Sequence, residues 1–270
     1  MIKRLFILCL LAGPGIAQES DADYLTAFLE DSLSDAGREV KITGFAGALS
    51  SQATFQSMTI ADDFGVWLTV TGVTLDWSQS SLLSGELVVN ELSAEKVAMT
   101  RPPKPSVSSM PSPEAVGFAL PELPVSISVS KVEIGAIKLD PTVLGQPVEG
   151  RLEAAFSLAA GAGQAKVSLV RADLGPDGRI SLDAAFDNLT RHLNLTLAVS
   201  EGDGGLVATA LGLPGVPSTD FLISGAGTLD AFLAELRLTT DGERRLEGQV
   251  TVSGGAKDES RLSADLSGNL

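Results

Sequence analysis

The sequence has a single cysteine, Cys9, and a single histidine, His192. One cysteine cannot close an intramolecular disulfide. One histidine without a cysteine beside it cannot build the common zinc sites or a thiol–imidazole pair. His192 stands next to Arg191 in an alternating stretch rich in Asn and Thr, so no metal or catalytic role is assigned to it. Basic residues are also few, 19 Lys and Arg against 34 Asp and Glu, for a net charge of −15. That balance excludes nucleic acid as a partner, because such affinity comes mostly from Lys and Arg on phosphates. It also excludes a broad polybasic contact with anionic lipid head groups. Glycine-rich phosphate loops, Gly-x-Ser-x-Gly elbows and paired cysteines are missing. Asp62-Asp63 and the stretch from Asp173 to Asp177 hold carboxylates without the ligand spacing of a calcium loop, and they read as solvated turn acids. Neither an enzyme activity nor a cofactor or metal is expected.

Long apolar runs are lacking too. Leu5 to Ala12 falls far short of the ~20 residues of a membrane span. Lys3 and Arg4 precede this run, Gly13-Pro14 breaks it, and Gly15-Ile16-Ala17 places small residues at −3 and −1 before Gln18. Residues 1–17 therefore read as an export signal cleaved after Ala17. Cys9 lies inside it, and Ile7-Leu8-Cys9 is a poor lipidation site. Without Lys3 and Arg4 the balance is 17 basic to 34 acidic residues.

Glycine is abundant, 28 of 270 residues, above the usual ~7%, which suits a turn-rich β protein. Residues 18–37 are the exception. Tyr24, Leu25, Phe28, Leu29 and Leu33 fall on one face at helical spacing, Ser20 can cap the start, and Gly37 can end it. This predicts an amphipathic helix whose acidic polar face suits packing on the protein rather than on a membrane.

Residues 38–101 read as a β segment. Val66, Leu68 and Val70, then Val73, Leu75 and Trp77, are apolar at every second position, with one shift at Gly72 that predicts a bulge. Leu87, Val89, Leu92, Ala94, Val97 and Met99 follow at spacings of two, three, two, three, two, and Pro102-Pro103 stops the run. Residues 102–124 form a Pro/Ser-rich linker, in which Ser112-Pro113-Glu114 predicts a short helix to about Leu120. Forty residues after the first set, Ile127, Val129, Val132, Ile134, Ile137 and Leu139 repeat the same spacing with different residues.

From residue 125 to 270 the chain reads as a β meander, with simple alternation from Val148 onward. Phe156 and Leu158, Ile180, Leu182 and Phe186, then Leu193, Leu195, Leu197 and Val199 are apolar, and the intervening side chains are mostly polar. Turn signals at 161–163, 175–178, 202–205, 241–242 and 254–255 separate the strands. Such a sheet has one apolar face, and the expected helices are too few to cover it. It can be buried by a second sheet, by closure into a barrel, or by curling into a trough filled by a ligand. The pattern runs on through Leu262, Leu266 and Leu270 without a closing element, which predicts a piece of a longer protein.

Four stretches together carry a family resemblance. They are Asp63-Phe64-Gly65-Val66-Trp67-Leu68, Val73-Thr74-Leu75-Asp76-Trp77, Leu82-Leu83-Ser84-Gly85-Glu86-Leu87 and Arg101-Pro102. In order and spacing they resemble the N-terminal part of the TamB family, the inner-membrane component of a bacterial translocation and assembly module and part of the AsmA-like lipid-transport group. The resemblance implies a mainly β fold, an elongated, curled antiparallel sheet of the β-taco kind with an apolar inner groove. It implies a phospholipid conduit between inner and outer membranes, a periplasmic, inner-membrane-associated location and the outer-membrane barrel TamA as partner. Phe156, Leu158, Ile180, Leu182, Phe186, Leu193, Leu195, Leu197 and Val199 would then line the groove for acyl chains. Family members keep an uncleaved anchor, whereas the run here is shorter and cleavable, so cleavage and retention both stay open. In a bacterial chain the glycosylation patterns at Asn188 and Asn194 carry no meaning. Two other readings stand beside the conduit: a chaperone for outer-membrane β-barrel assembly that pairs along a sheet edge, and an exported β protein with a closed, dry core.

Overall fold

The computed structural model describes residues 26–27, 30–31, 34, 38–47, 50–104, 119–123, 125–254 and 260–269. The export signal, most of the expected N-terminal helix and the helix near 112–120 lie outside the described residues. Within the N-terminal stretch Thr26, Ala27, Glu30 and Asp31 are helical.

The strands are β1 (Glu39–Thr43), β2 (Gln52–Asp62), β3 (Gly65–Ser78), β4 (Glu86–Met99), β5 (Ser126–Leu139), β6 (Val148–Ala159) and β7 (Ala162–Arg171). They continue as β8 (Gly178–Asp187), β9 (His192–Glu201), β10 (Thr219–Thr228), β11 (Ala231–Thr240), β12 (Glu243–Gly254) and β13 (Ser260–Gly268). All thirteen form one open sheet in chain order, so among the described residues no second sheet lies across either face. In the loops between the strands lie the short helices α1 (Gln79–Leu82), α2 (Pro141–Leu144) and α3 (Leu206–Ala210). Asp140 caps α2, accepting from the Thr142 N–H at 3.1 Å, with Pro141 at the first helical position and left-handed Gly145 closing the turn.

Neighbouring strands are antiparallel with one exception. β4 and β5 run parallel, which corrects the expectation of an antiparallel sheet throughout. Parallel partners need a crossover of a dozen or more residues, and the stretch between Met99 and Ser126 supplies it. The Pro/Ser-rich linker is therefore a connection within one sheet and not a boundary between two. The forty-residue echo is the register of this pair: Leu87 lies against Ile127, Leu92 against Val132, Val97 against Ile137 and Met99 against Leu139. Two parallel strands can stay in register past irregular points only if both carry them at the same level. β6 is regular, so the mismatch is absorbed as bulges between β5 and β6, between Val129 and Val132 and again between Ile134 and Ile137.

The shift at Gly72 also takes a shared form. Gly72 adopts φ +63°, a left-handed conformation that favours glycine. Val70 and Val73, three residues apart, are both buried. The β2–β3 register does not slip there, because Met58 opposes Val70 and Phe55 opposes Val73. β2 changes phase together with β3. The register slips of β3 lie elsewhere, between Ile60 and Ala61 on the β2 side and between Asp76 and Trp77 on the β4 side.

Directly opposed residues in a ladder point to the same face. The pairings therefore join into apolar rows running across the strands. One row is Val132, Ala154, Val167, Leu182, Leu197, Ile223 and Leu236. Most of its members are half-buried. On β11 the same face is tightly covered, with Phe232, Ala234 and Leu238 buried, and this fits a sheet curling over itself.

Candidate functional site

All nine expected groove residues lie on this apolar face. Leu158 and Phe156 on β6 face Gly163 and Ala165 on β7. On β8 and β9, Phe186 opposes Leu193, Leu182 opposes Leu197, and Ile180 opposes Val199. Leu195 opposes Ala184 on one side and Gly225 on the other. Their exposure differs widely. Phe156 is 41% exposed and Ile180 38%, whereas Phe186 is only 6% exposed. Leu158, Leu182, Leu193, Leu195, Leu197 and Val199 are half-buried. The opposite face carries cross-strand ion pairs such as Lys166–Asp183 at 3.0 Å and Lys131–Glu91 at 3.3 Å. It also has a hollow of 320 Å³ beside Arg179, Ser181, Asp220 and Arg237.

The far end of the crossover reaches the apolar face. The Leu120 N–H donates to Asn188 Oδ1 at 2.8 Å, and Asn188 Nδ2 donates to the Leu120 carbonyl at 2.8 Å. The Asn188 amide thus pairs with one residue of backbone much as a neighbouring strand would. The Leu120 side chain lies against Gly163, where a Cβ would have to displace its Cδ1. Sequence reasoning saw Asn188 only as part of a glycosylation pattern. Nothing local in the sequence signals a clasp across 68 residues.

The rim of the sheet at the β2–β3–β4 ends is held by charge. Arg101, just after β4, donates from Nη1 to Asp62 Oδ2 at 2.8 Å and from Nη2 to Asp62 Oδ1 at 2.5 Å, and also to the Gly65 carbonyl at 2.6 Å. Asp62 further accepts from the Phe64 and Lys104 N–H groups, while the Lys104 ammonium sits 4.2 Å from the Phe64 ring centroid. The Asp62 side chain is 3% exposed. The Arg101 guanidinium, aided by the two backbone donors, holds its carboxyl well below the usual range. This fork joins Arg101 of the family-like pattern to the β2–β3 turn.

Further along the same rim lies a group that the sequence reading missed. Gly163, Ala165, Val167, Leu169 and Arg171 alternate along β7, so Arg171 continues the apolar column. Its side chain is only 7% exposed. Its Nε donates to both Asp173 oxygens, at 2.9 and 3.0 Å, while Asp173 also accepts from the Glu149 N–H at 2.8 Å and the Gly175 N–H at 2.6 Å. Burial raises the Asp173 pKa, but these hydrogen bonds and the guanidinium outweigh it and keep the carboxyl below its ordinary value. Arg171 Nη1 is buried without an acceptor among the described residues. A pocket of 770 Å³ borders this arginine, walled by Met99, Leu139, Pro147, Val148 and Leu174. The signal in the sequence was an arginine in phase with an apolar alternation.

His192 is exposed at the opposite rim, with Asn194 Nδ2 3.4 Å from its Nδ1. Among the described residues no His, Cys, Asp and Glu side chains cluster to hold a metal, and no helix is long and apolar enough to cross a membrane. Comparison with protein-family models, with curated proteins and with solved structures finds no match.

Proposed function

We propose that the apolar face of this sheet carries lipid acyl chains, the chain acting as a phospholipid conduit between the inner and outer membranes of a Gram-negative bacterium. The observation that carries the reading is the continuous apolar face across one open thirteen-stranded sheet, half-buried and without a second sheet over it among the described residues. Such a surface is costly in water, since each fully buried Val, Leu, Ile or Phe gains roughly 1.5–3 kcal/mol. Acyl chains offset that cost at about 0.8 kcal/mol per CH₂. The resemblance to the TamB family adds the periplasmic setting, the inner-membrane association and the outer-membrane barrel TamA as partner.

Leu195→Arg tests the reading. Leu195 sits mid-strand between Ala184 and Gly225, where small neighbours leave an arginine stem room to reach water. The variant should fold by circular dichroism and fail to co-purify with phospholipid in native mass spectrometry. A folded variant that carries as much lipid as the parent sinks the conduit at this position. A parent protein that carries no lipid but holds unfolded outer-membrane barrel proteins would favour the chaperone role instead.

A further inference from the structure

The 770 Å³ pocket beside Arg171 stands at the end of the apolar face. Met99, Leu139 and Val148, which wall it, are also the last rungs of an apolar row, since Met99 opposes Leu139 and Leu139 opposes Val148. A chain lying along the face therefore runs into this pocket without crossing a polar barrier.

Its charged groups leave two needs unmet. Lys138 is paired with Glu149 at 3.0 Å, and Arg171 Nε with Asp173. That accounts for two cations and two anions. Left over among the described residues are Arg171 Nη1, a buried donor with no acceptor, and the exposed Asp140 carboxylate, which accepts only from the Thr142 N–H of its own helix cap. Both residues line the same pocket. A buried donor without an acceptor is rare enough to need a reason. The space for the arginine is itself built in. A side chain at Gly175 would strike the guanidinium, and one at Gly178 would crowd its stem. Leu174, fully exposed on the lip, presents an apolar side chain to whatever enters.

We infer that this pocket is a head-group site for a zwitterionic phospholipid, with the phosphate accepting from the Arg171 guanidinium, the ammonium facing Asp140, and the acyl chains leaving along the apolar face past Met99, Leu139 and Val148. A purely anionic head would meet the Asp140 carboxylate with nothing to neutralise it. A phosphate–ammonium pair supplies both missing partners at once. The inference rests on the lipid-conduit reading and adds which lipid is selected and by which groups.

The test is native mass spectrometry of the full chain with dioleoyl phosphatidylethanolamine and dioleoyl phosphatidylglycerol presented in the same detergent micelles. The parent protein should favour the ethanolamine lipid. Arg171→Gln should weaken binding of both lipids by about tenfold or more, the worth of one charge-assisted hydrogen bond. Asp140→Asn can still cap α2, and it should abolish the preference while leaving phosphatidylglycerol binding intact. Because Arg171→Gln unpairs Asp173, the Asp140→Asn arm decides if the former does not fold. Lipid binding that is equal for the two head groups and unmoved by Asp140→Asn overturns the head-group site while the conduit stands. A parent protein that binds neither lipid overturns the conduit and this site together.

Discussion

Phe156 and Phe186 lie on the same face of adjacent parts of the sheet, yet one is 41% and the other 6% exposed. Replacing each by alanine separates a wetted face from a dry core. Phe186→Ala removes a packed ring and leaves a cavity, so it should cost about 3–5 kcal/mol. Phe156 buries roughly three-fifths of its side chain, and full burial of Phe is worth roughly 1.5–3 kcal/mol. Phe156→Ala should then cost about 1–2 kcal/mol, with little cavity term because Ala165 opposite it is small. Urea unfolding followed by circular dichroism measures both. Saturating phospholipid should shift the balance further, since a ligand that binds only the folded chain stabilises it by mass action. The parent and Phe186→Ala should gain midpoint on adding lipid, and Phe156→Ala should gain markedly less, having lost an exposed contact for the acyl chain. Equal losses for the two variants without lipid, or equal gains with it, would refute the view that Phe156 faces a ligand and Phe186 the protein interior.

Two further outcomes follow from the hydrogen bonds at the rims. The Asp62 carboxyl is depressed by Arg101, so its stabilisation is fully present above the unfolded value near 3.8 and is lost as pH falls below that toward the folded value. Unfolding at about pH 3 should therefore take up close to one more proton in the parent than in Asp62→Asn, read from the pH dependence of the urea midpoint; parallel curves would show that the fork does not contribute. Asn188→Ala should free Leu120 from the apolar face without disturbing β8 and β9, detected as faster hydrogen exchange at residues 119–123 alone. Unchanged exchange there would mean that the clasp does not hold the crossover.

Much of this architecture is determined by the amino-acid order alone. Alternation of Val167 with Leu169, of Leu182 with Phe186 four positions on, and of Leu193, Leu195, Leu197 and Val199 follows from the period of two of an extended chain. Glycine clusters mark where each strand must turn. The single face of apolar residues is visible for the same reason, as is the absence of His, Cys and acidic spacing for metal or nucleophilic chemistry. Even the two-three-two-three-two echo was legible as a pattern.

Its meaning was not legible, because a spacing does not say which strand lies beside which. Only the tertiary structure turns the echo into a parallel β4–β5 register, with the irregularities absorbed against β6. A one-residue window also cannot distinguish Phe156 from Phe186, which alternate identically but meet different neighbours once the sheet is formed. Long-range contacts decided the rest. Leu120 reaches Asn188 across 68 residues, Arg101 reaches Asp62 across 39, and Asp173, the partner of Arg171, reaches the Glu149 N–H across 24, while Arg171 Nη1 stays without an acceptor among the described residues. Hydrogen-bonding capacity is a property of each side chain, but whether it is satisfied depends on what the folded chain brings within three ångströms.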